Sequence, residues 1–163
     1  MDKTAIIRNF SRYADIYDKY AHVQKASALR LLEQIKEDNF KKILEVGCGT
    51  GNYTSFLREK FRAAEFKAID ISDRMLKVAQ EKLKTKNIEF ILADAEDVNI
   101  KERFDLITSN ACFQWFDNLE PTLMKYKKLL NLRGIISFSI FGPHTYKELR
   151  TSLGYLFKDA AIR

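Results

Sequence analysis

Lys42-Ile43-Leu44-Glu45-Val46-Gly47-Cys48-Gly49-Thr50-Gly51-Asn52-Tyr53 decides the fold. Its first half is an apolar run of strand character, broken only by Glu45 near its end. Glycine then falls at every second position, after which Tyr53, Phe56 and Leu57 restart a helical period. The order is strand, glycine turn, helix. Glycines at 47, 49 and 51 let the backbone turn sharply and approach a ligand closely. The spacing is tighter than the G-x-G-x-x-G of dinucleotide-binding turns, which bring a pyrophosphate to a helix N-terminus. Glu45 would repel such a phosphate, so a ligand bearing an ammonium group fits this loop better.

The alternation repeats downstream. Residues 66–71 read as a second strand, followed by Ser72 as an N-cap and a helix with Met75, Leu76, Ala79 and Leu83 on its inner face. Residues 88–92 and 104–108 read as the third and fourth strands. Pro121 suits the first turn of a helix over 122–130, and 134–141 reads as a fifth strand. Beyond it, Thr145-x-x-Glu148 has the spacing of a capping box, with Leu149, Leu153, Leu156 and Phe157 on one face of a last helix. Upstream, Ala28, Leu31, Leu32 and Ile35 mark a helix over 23–36, preceded by a polar, Tyr-rich segment. Alternating strands and helices predict an α/β fold, a mostly parallel sheet with helices on both faces. Ligands of such sheets bind at the carboxyl ends of the strands, where the chain order switches.

Two more acids stand at predicted strand ends. Asp70 closes the second strand about 20 residues beyond the glycine loop, the separation at which a carboxylate accepts both hydroxyls of a ribose. Asp94, in Ala93-Asp94-Ala95-Glu96, follows the third strand, where a carboxylate beside a small residue can receive an adenine amino group. Each alone has an ordinary role as a helix cap or solvated loop residue. Glu45, Asp70 and Asp94 at three successive strand ends point together to a nucleoside-bearing ligand.

Composition narrows the remaining classes. A chain of 163 residues predicts one domain spanning 1–163. At 46% hydrophobic and 31% charged, it contains no apolar run near the ~18 residues of a membrane span. Met1 to Arg8 lacks the apolar run and small-residue site of a secretory signal, so a cytoplasmic location is expected. Cys48 and Cys112 form neither a disulfide framework nor a metal-ligand spacing, and no metal is expected. The net charge of +6 bears on association rather than fold. Lys82, Lys84 and Lys86 fall where a helix ends and complement its dipole. Lys125, Lys127, Lys128 and Arg133 are interleaved with Tyr126 alone, and no nucleic-acid motif accompanies them.

Residues 43–51 resemble motif I of the class I, Rossmann-like methyltransferases. Within that class, residues 10–18, 109–115 and 141–149 resemble the malonyl-acyl-carrier-protein O-methyltransferases of biotin synthesis, and the likeness runs from about Phe10 through Leu153. The resemblance implies S-adenosylmethionine as cofactor and S-adenosylhomocysteine as product. Cofactor contacts are implied for Glu45, Gly47, Cys48, Gly49 and Gly51, for Asp70, Ile71 and Met75, and for Asp94 and Ala95. Asn110 is expected to hold the loop after the fourth strand near the methionine moiety. Residues 1–38 are expected to fold as a lid over a 39–163 core, bringing Tyr17 toward the reacting groups.

The implied reaction methylates the free carboxylate of malonyl-acyl-carrier protein, an acidic partner that suits a basic surface. Such a carboxylate is ionised at neutral pH, so no general base is assigned and catalysis becomes placement. Arg12, His144 and Arg150 are the cations expected to orient it. Phe113, Trp115 and Phe116 serve either core packing or the site. The family's sheet has a C-terminal antiparallel hairpin beside the fifth strand, and no strands for it follow here. The chain as it stands is therefore expected to keep its cofactor contacts, to bare an apolar fifth-strand edge and to show little or no methyl transfer. The alternatives are a methyltransferase for another small carboxylic acid of the trans-aconitate type and a non-catalytic cofactor-binding remnant. A nicotinamide oxidoreductase is disfavoured by the tight glycine spacing and by Glu45.

Overall fold

Lys42–Val46 forms β1, the central strand of a parallel sheet in the computed structural model, which describes residues 2–84, 87–142 and 145. Around it are α4 (Asn52–Lys60), β2 (Glu65–Asp70), α5 (Asp73–Leu83), β3 (Ile88–Leu92), β4 (Phe104–Asn110), α6 (Leu119–Lys127) and β5 (Leu130–Ser139). Among the described residues the sheet has five strands in the order β3-β2-β1-β4-β5, all parallel. The order reverses at β1. The glycine loop that leaves it therefore opens where β1 and β4 part, the crevice in which open α/β sheets bind ligands.

Side chains of β1 alternate between two cores, as the strand period requires. Ile43 packs with Leu57 of α4, Leu76 of α5 and Leu31, while Leu44 and Val46 pack on the opposite face with Ile69, Phe104, Ile107, Phe113 and Tyr126. Coverage of both faces explains why β1 reads as an apolar run interrupted only by Glu45 rather than as an alternating strand.

The polar, Tyr-rich N-terminal segment, for which no element was expected ahead of residue 23, takes regular structure. It is helical: α1 (Lys3–Tyr13), a short 3-10 turn over Ala14–Ile16, α2 (Tyr17–Tyr20) and α3 (His22–Gln34). The Asp2 carboxylate caps α1 by accepting the Ala5 N–H at 3.1 Å. Helix α3 ends at Gln34 rather than at 36. The fifth strand also begins earlier, at Leu130 rather than at 134, and α6 correspondingly runs from Leu119 to Lys127 with Pro121 in its first turn. Leu130 pairs with Phe104 but Ile135 with Leu106, so β5 bulges between them. Gly134 lies in that bulge, where a Cβ would stand 2.9 Å from the Phe104 carbonyl oxygen. The capping-box partner Glu148, the apolar positions 149–157 and Lys86 lie outside the described residues. No described helix is long and apolar enough to cross a membrane.

Candidate functional site

The carboxyl ends of β1, β2, β3 and β4 surround a cleft enclosing about 1020 Å³, part of it open to solvent. Of the positions expected to hold a cofactor, Gly47, Cys48, Gly49, Asp70, Ile71, Met75, Asp94, Ala95 and Asn110 line it. Glu45 and Gly51 do not. The Glu45 side chain belongs to the Ile43 face of β1, beneath α4, and Gly51 backs onto α5, where a Cβ would meet Leu83 Cδ1 at 3.0 Å and Ala79 Cβ at 3.1 Å.

The glycine loop is held from below. Gly47 N–H and Cys48 N–H both donate to the Ile69 carbonyl, at 2.8 and 3.0 Å. Gly49 N–H donates to Asp70 Oδ2 at 2.8 Å, and Ser72 N–H to Asp70 Oδ1 at 2.9 Å. Asp70 thus joins the loop after β1 to the start of α5, with lone pairs of its carboxylate still available to a ligand. Burial pushes its pKa up, opposed by the N–H groups of Ser72, Gly49 and Ile71. Gly49 has φ of +54°, and a Cβ there would meet nothing within 4 Å, so this backbone faces open space.

Asp94 carries a contact that no local pattern announced. Its Oδ2 accepts Lys3 Nζ from α1 at 2.5 Å, and Lys3 also pairs with Glu96 at 2.7 Å. Glu96 further accepts the N–H groups of Asp117 and Asn118 ahead of α6, at 3.1 and 2.6 Å. The Tyr126 hydroxyl donates to the Ala95 carbonyl at 2.6 Å, fixing this turn from the core side. Asp18 ties α2 to the glycine loop by accepting from Thr50 Oγ1 at 2.6 Å, Asn52 Nδ2 at 2.8 Å and Lys82 Nζ at 2.5 Å. Lys82, expected only to complement a helix end, thereby also ties α5 to α2.

The N-terminal helices contribute residues to the cleft. Lys3, Ile6 and Phe10, spaced along one face of α1, line it, and so does Tyr17. Phe10 meets Trp115 edge-on at 5.9 Å and Tyr17 at 6.2 Å. The three aromatics of the loop after β4 divide their roles: Phe113 is core, whereas Trp115 and Phe116 line the cleft. Arg12 is a correction. It lies about 200° round the helix from Phe10, exposed, with its guanidinium 5.6 Å from the Tyr13 ring centroid, and does not line the cleft. His144 and Arg150 lie outside the described residues.

Asn110 acts through the backbone of α3. Its Nδ2 donates to the Gln24 carbonyl at 3.0 Å, and its Oδ1 accepts Ser139 Oγ at 2.7 Å. The following residue, Ala111, has φ of +53°, a strained conformation for a non-glycine residue, and its N–H is held by the Ser139 carbonyl at 3.0 Å. Cys48 and Cys112 are free thiols, as expected. Burial pushes the Cys112 thiol up to about 12 and that of Cys48 well above its ordinary value, so neither supplies a thiolate at neutral pH.

Glu45 is buried with Oε2 unpartnered. Burial pushes its carboxyl up to about 8, with the Thr54 hydroxyl opposing and the negative charge of Asp70 adding to the rise. The folded chain therefore holds a proton that the unfolded chain releases at an ordinary carboxyl pKa. Stability present below the unfolded value is lost as pH rises through the folded one. Urea denaturation of the ligand-free chain should give a falling midpoint from roughly pH 5 to 8.5, and Glu45→Gln should flatten that slope. An equal slope in the variant would assign the titration to another group.

A methyltransferase domain model matches residues 43–134. The chain is 39% identical over 154 residues to malonyl-[acyl-carrier protein] O-methyltransferase of Priestia megaterium, covering 93% of this chain and 56% of the relative. It is 43% identical over 160 residues to malonyl-[acyl-carrier protein] O-methyltransferase 1 of Ilyobacter polytropus, covering 96% and 59%. The chain thus spans less than two thirds of these curated relatives. Among solved structures, an S-adenosylmethionine-dependent methyltransferase from Clostridium acetobutylicum superposes with a TM-score of 0.68 at 27% identity, covering 85% of this chain and 60% of that one.

Proposed function

The chain belongs to the family of methyltransferase domains, and we propose from that premise that it binds S-adenosylmethionine and methylates the malonyl carboxylate of an acyl carrier protein. The observation that carries the cofactor half is the bare Gly49 backbone facing open space in the cleft that Asp70 and Asp94 also line. Those groups fit a nucleoside: Asp70 would accept ribose hydroxyls and Asp94 an adenine amino group, exchanging its contact with Lys3. When bound, the cofactor supplies an electrophilic methyl group on a sulfonium.

The chain's own task is placement and exclusion of water. Phe10, Tyr17, Trp115 and Phe116 give the cleft an aromatic wall that strips solvent from an anionic acceptor. The raised thiol pKa values argue against a cysteine nucleophile, and an ionised acceptor makes a general base unnecessary. In this reading residues 1–38 are the lid and 39–163 the core. The names of the relatives support the malonyl carrier, and the net charge of +6 complements an acidic partner. A cytoplasmic location, where cofactor and carrier meet, is part of the proposal.

Asp70→Asn should weaken S-adenosylhomocysteine by about 1.5–3 kcal/mol, the worth of hydrogen bonds to a charged group. Calorimetry with unchanged affinity would remove Asp70 from the site. Labelled-methyl transfer decides the acceptor, comparing malonyl carrier protein with free malonate and aconitate. Any ester formed, even at a low level, is expected on the carrier. Transfer to aconitate instead would favour the small-acid alternative, and binding without transfer to any acceptor would favour the non-catalytic cofactor-binding remnant.

A further inference from the structure

Among the described residues, two that line the cleft carry ammonium groups, Lys3 and Lys25. Lys3 is committed to Asp94 and Glu96. Among the described residues, Lys25 has no ion-pair partner. Its backbone is nonetheless anchored firmly. Lys25 N–H donates to the Ala21 carbonyl at 2.9 Å, the preceding Gln24 carbonyl accepts Asn110 Nδ2 at 3.0 Å, and Ser27 Oγ donates to Ser139 Oγ at 3.0 Å. Ser139 Oγ in turn donates to Asn110 Oδ1 at 2.7 Å. These bonds pin the first turns of α3 to the carboxyl ends of β4 and β5.

Charge is therefore divided along the cleft. Carboxylates stand at the ends of β2 and β3, with Asp94 already answered by Lys3, and an unanswered cation stands on the β4 and β5 side. A ligand that bridges the two ends should present hydroxyl or amino donors to the first and an anion to the second. We propose that Lys25 is the residue of this cleft that receives a carboxylate. The inference rests on the methyl-transfer reading, in which both ligands carry one: the amino-acid end of the cofactor and the acyl acceptor. Lys25 is exposed at the cleft, so an ammonium–carboxylate contact there strengthens only as the bound ligand excludes water from it. The cationic role assigned from sequence to Arg12 passes to Lys25, because α1 turns Arg12 away from the cleft while the anchored turn of α3 presents Lys25 to it.

Lys25→Met keeps most of the apolar stem and removes the charge, whereas Lys25→Arg keeps the charge. Two binding ratios, both measured by calorimetry, test the proposal. The first compares S-adenosylhomocysteine with 5′-methylthioadenosine, which shares the nucleoside but lacks the amino-acid carboxylate. The second, with S-adenosylhomocysteine saturating, compares malonyl carrier protein with its methyl ester. If the cofactor's carboxylate is the one received, Lys25→Met lowers the first ratio by about tenfold and spares methylthioadenosine. If the acceptor's is, the second ratio falls by about tenfold and the first stays. In either case Lys25→Arg retains most of the preference and the melting temperature is unchanged. Both ratios unchanged in Lys25→Met, or a loss shared equally by the charged and uncharged ligands, overturns the proposal alone. A wild-type chain that binds neither nucleoside overturns the methyl-transfer reading and the proposal with it.

Discussion

Gly49→Val is expected to abolish measurable binding of S-adenosylhomocysteine while leaving the sheet folded. Gly49 has φ of +54°, its N–H is held by Asp70 Oδ2 at 2.8 Å, and the space beside its Cα is empty to 4 Å. A Cβ here meets no protein atom within 4 Å. The damage to the fold is confined to left-handed backbone strain, about 1–2 kcal/mol and somewhat more for a β-branched residue. All of the added bulk enters the cleft instead, where it holds the ligand away from the loop. Giving up two or more hydrogen bonds, some of them charge-assisted, weakens binding by about 100-fold or more. Gly49→Ala carries the same strain with one methyl group, so it should fall between wild type and valine in affinity while matching valine more closely in stability. Calorimetry and urea denaturation on the three proteins separate the two effects. Full affinity in Gly49→Val would reduce the loop to a turn and take the cofactor reading with it.

The elements that were legible from sequence share one property: their signal is local. β1, the glycine loop and α4 can be read because apolar run, glycine spacing and helical period follow one another within twenty positions or so. Asp70 was found by counting from that loop and Asp94 by its place just after the third strand, and both line the cleft. Glu45 was read by the same strand-end rule and does not line it, because strand alternation sends residue 45 to the face of Ile43, and the rule ignores which face each acid takes. Gly51 looked like its neighbours yet packs on α5, a contact made by residues far along the chain.

What escaped is tertiary. Lys3 meets Asp94 across 91 positions, and Asp18 meets Thr50 across 32. No window of ordinary width contains either pair. Helix α1 was missed for a related reason. It buries no residue in the core: its apolar positions Ile6 and Phe10 face a cleft rather than a packed interior, so a search for core-packing helices passes over a segment whose apolar and polar sides are well separated. Lys25 sits on a helix whose existence was expected but whose anchoring by Asn110 and Ser139 was not. The start of β5 was misplaced because Gly134 reads as punctuation, whereas its role is to let the bulge approach the Phe104 carbonyl.

Gly47→Ala should be the most damaging single methyl group in this part of the chain, and its effect should be on folding. At this position an ideal Cβ would lie 2.3 Å from Cys112 Sγ and 2.5 Å from Cys112 Cβ, distances no packed side chain tolerates. Relief by movement is blocked from both sides. Gly47 N–H is held by the Ile69 carbonyl at 2.8 Å, and Cys112 follows Ala111, whose left-handed turn is fastened to Ser139. The φ of +74° adds its own strain for any L side chain. Left-handed strain of about 1–2 kcal/mol together with overpacking of about 1–3 kcal/mol predicts a loss of about 2–5 kcal/mol in urea denaturation. The two contributions can be told apart. Cys112→Ala removes the sulfur but keeps the Cβ that clashes at 2.5 Å, so it should rescue Gly47→Ala only in part. Cys112→Gly removes both atoms and should recover the overpacking share, leaving the backbone strain, provided each single variant is measured to complete the cycle. A Gly47→Ala protein as stable as wild type would mean that the loop after β1 can relax away from β4. The cleft would then owe its shape to a bound ligand rather than to the fold.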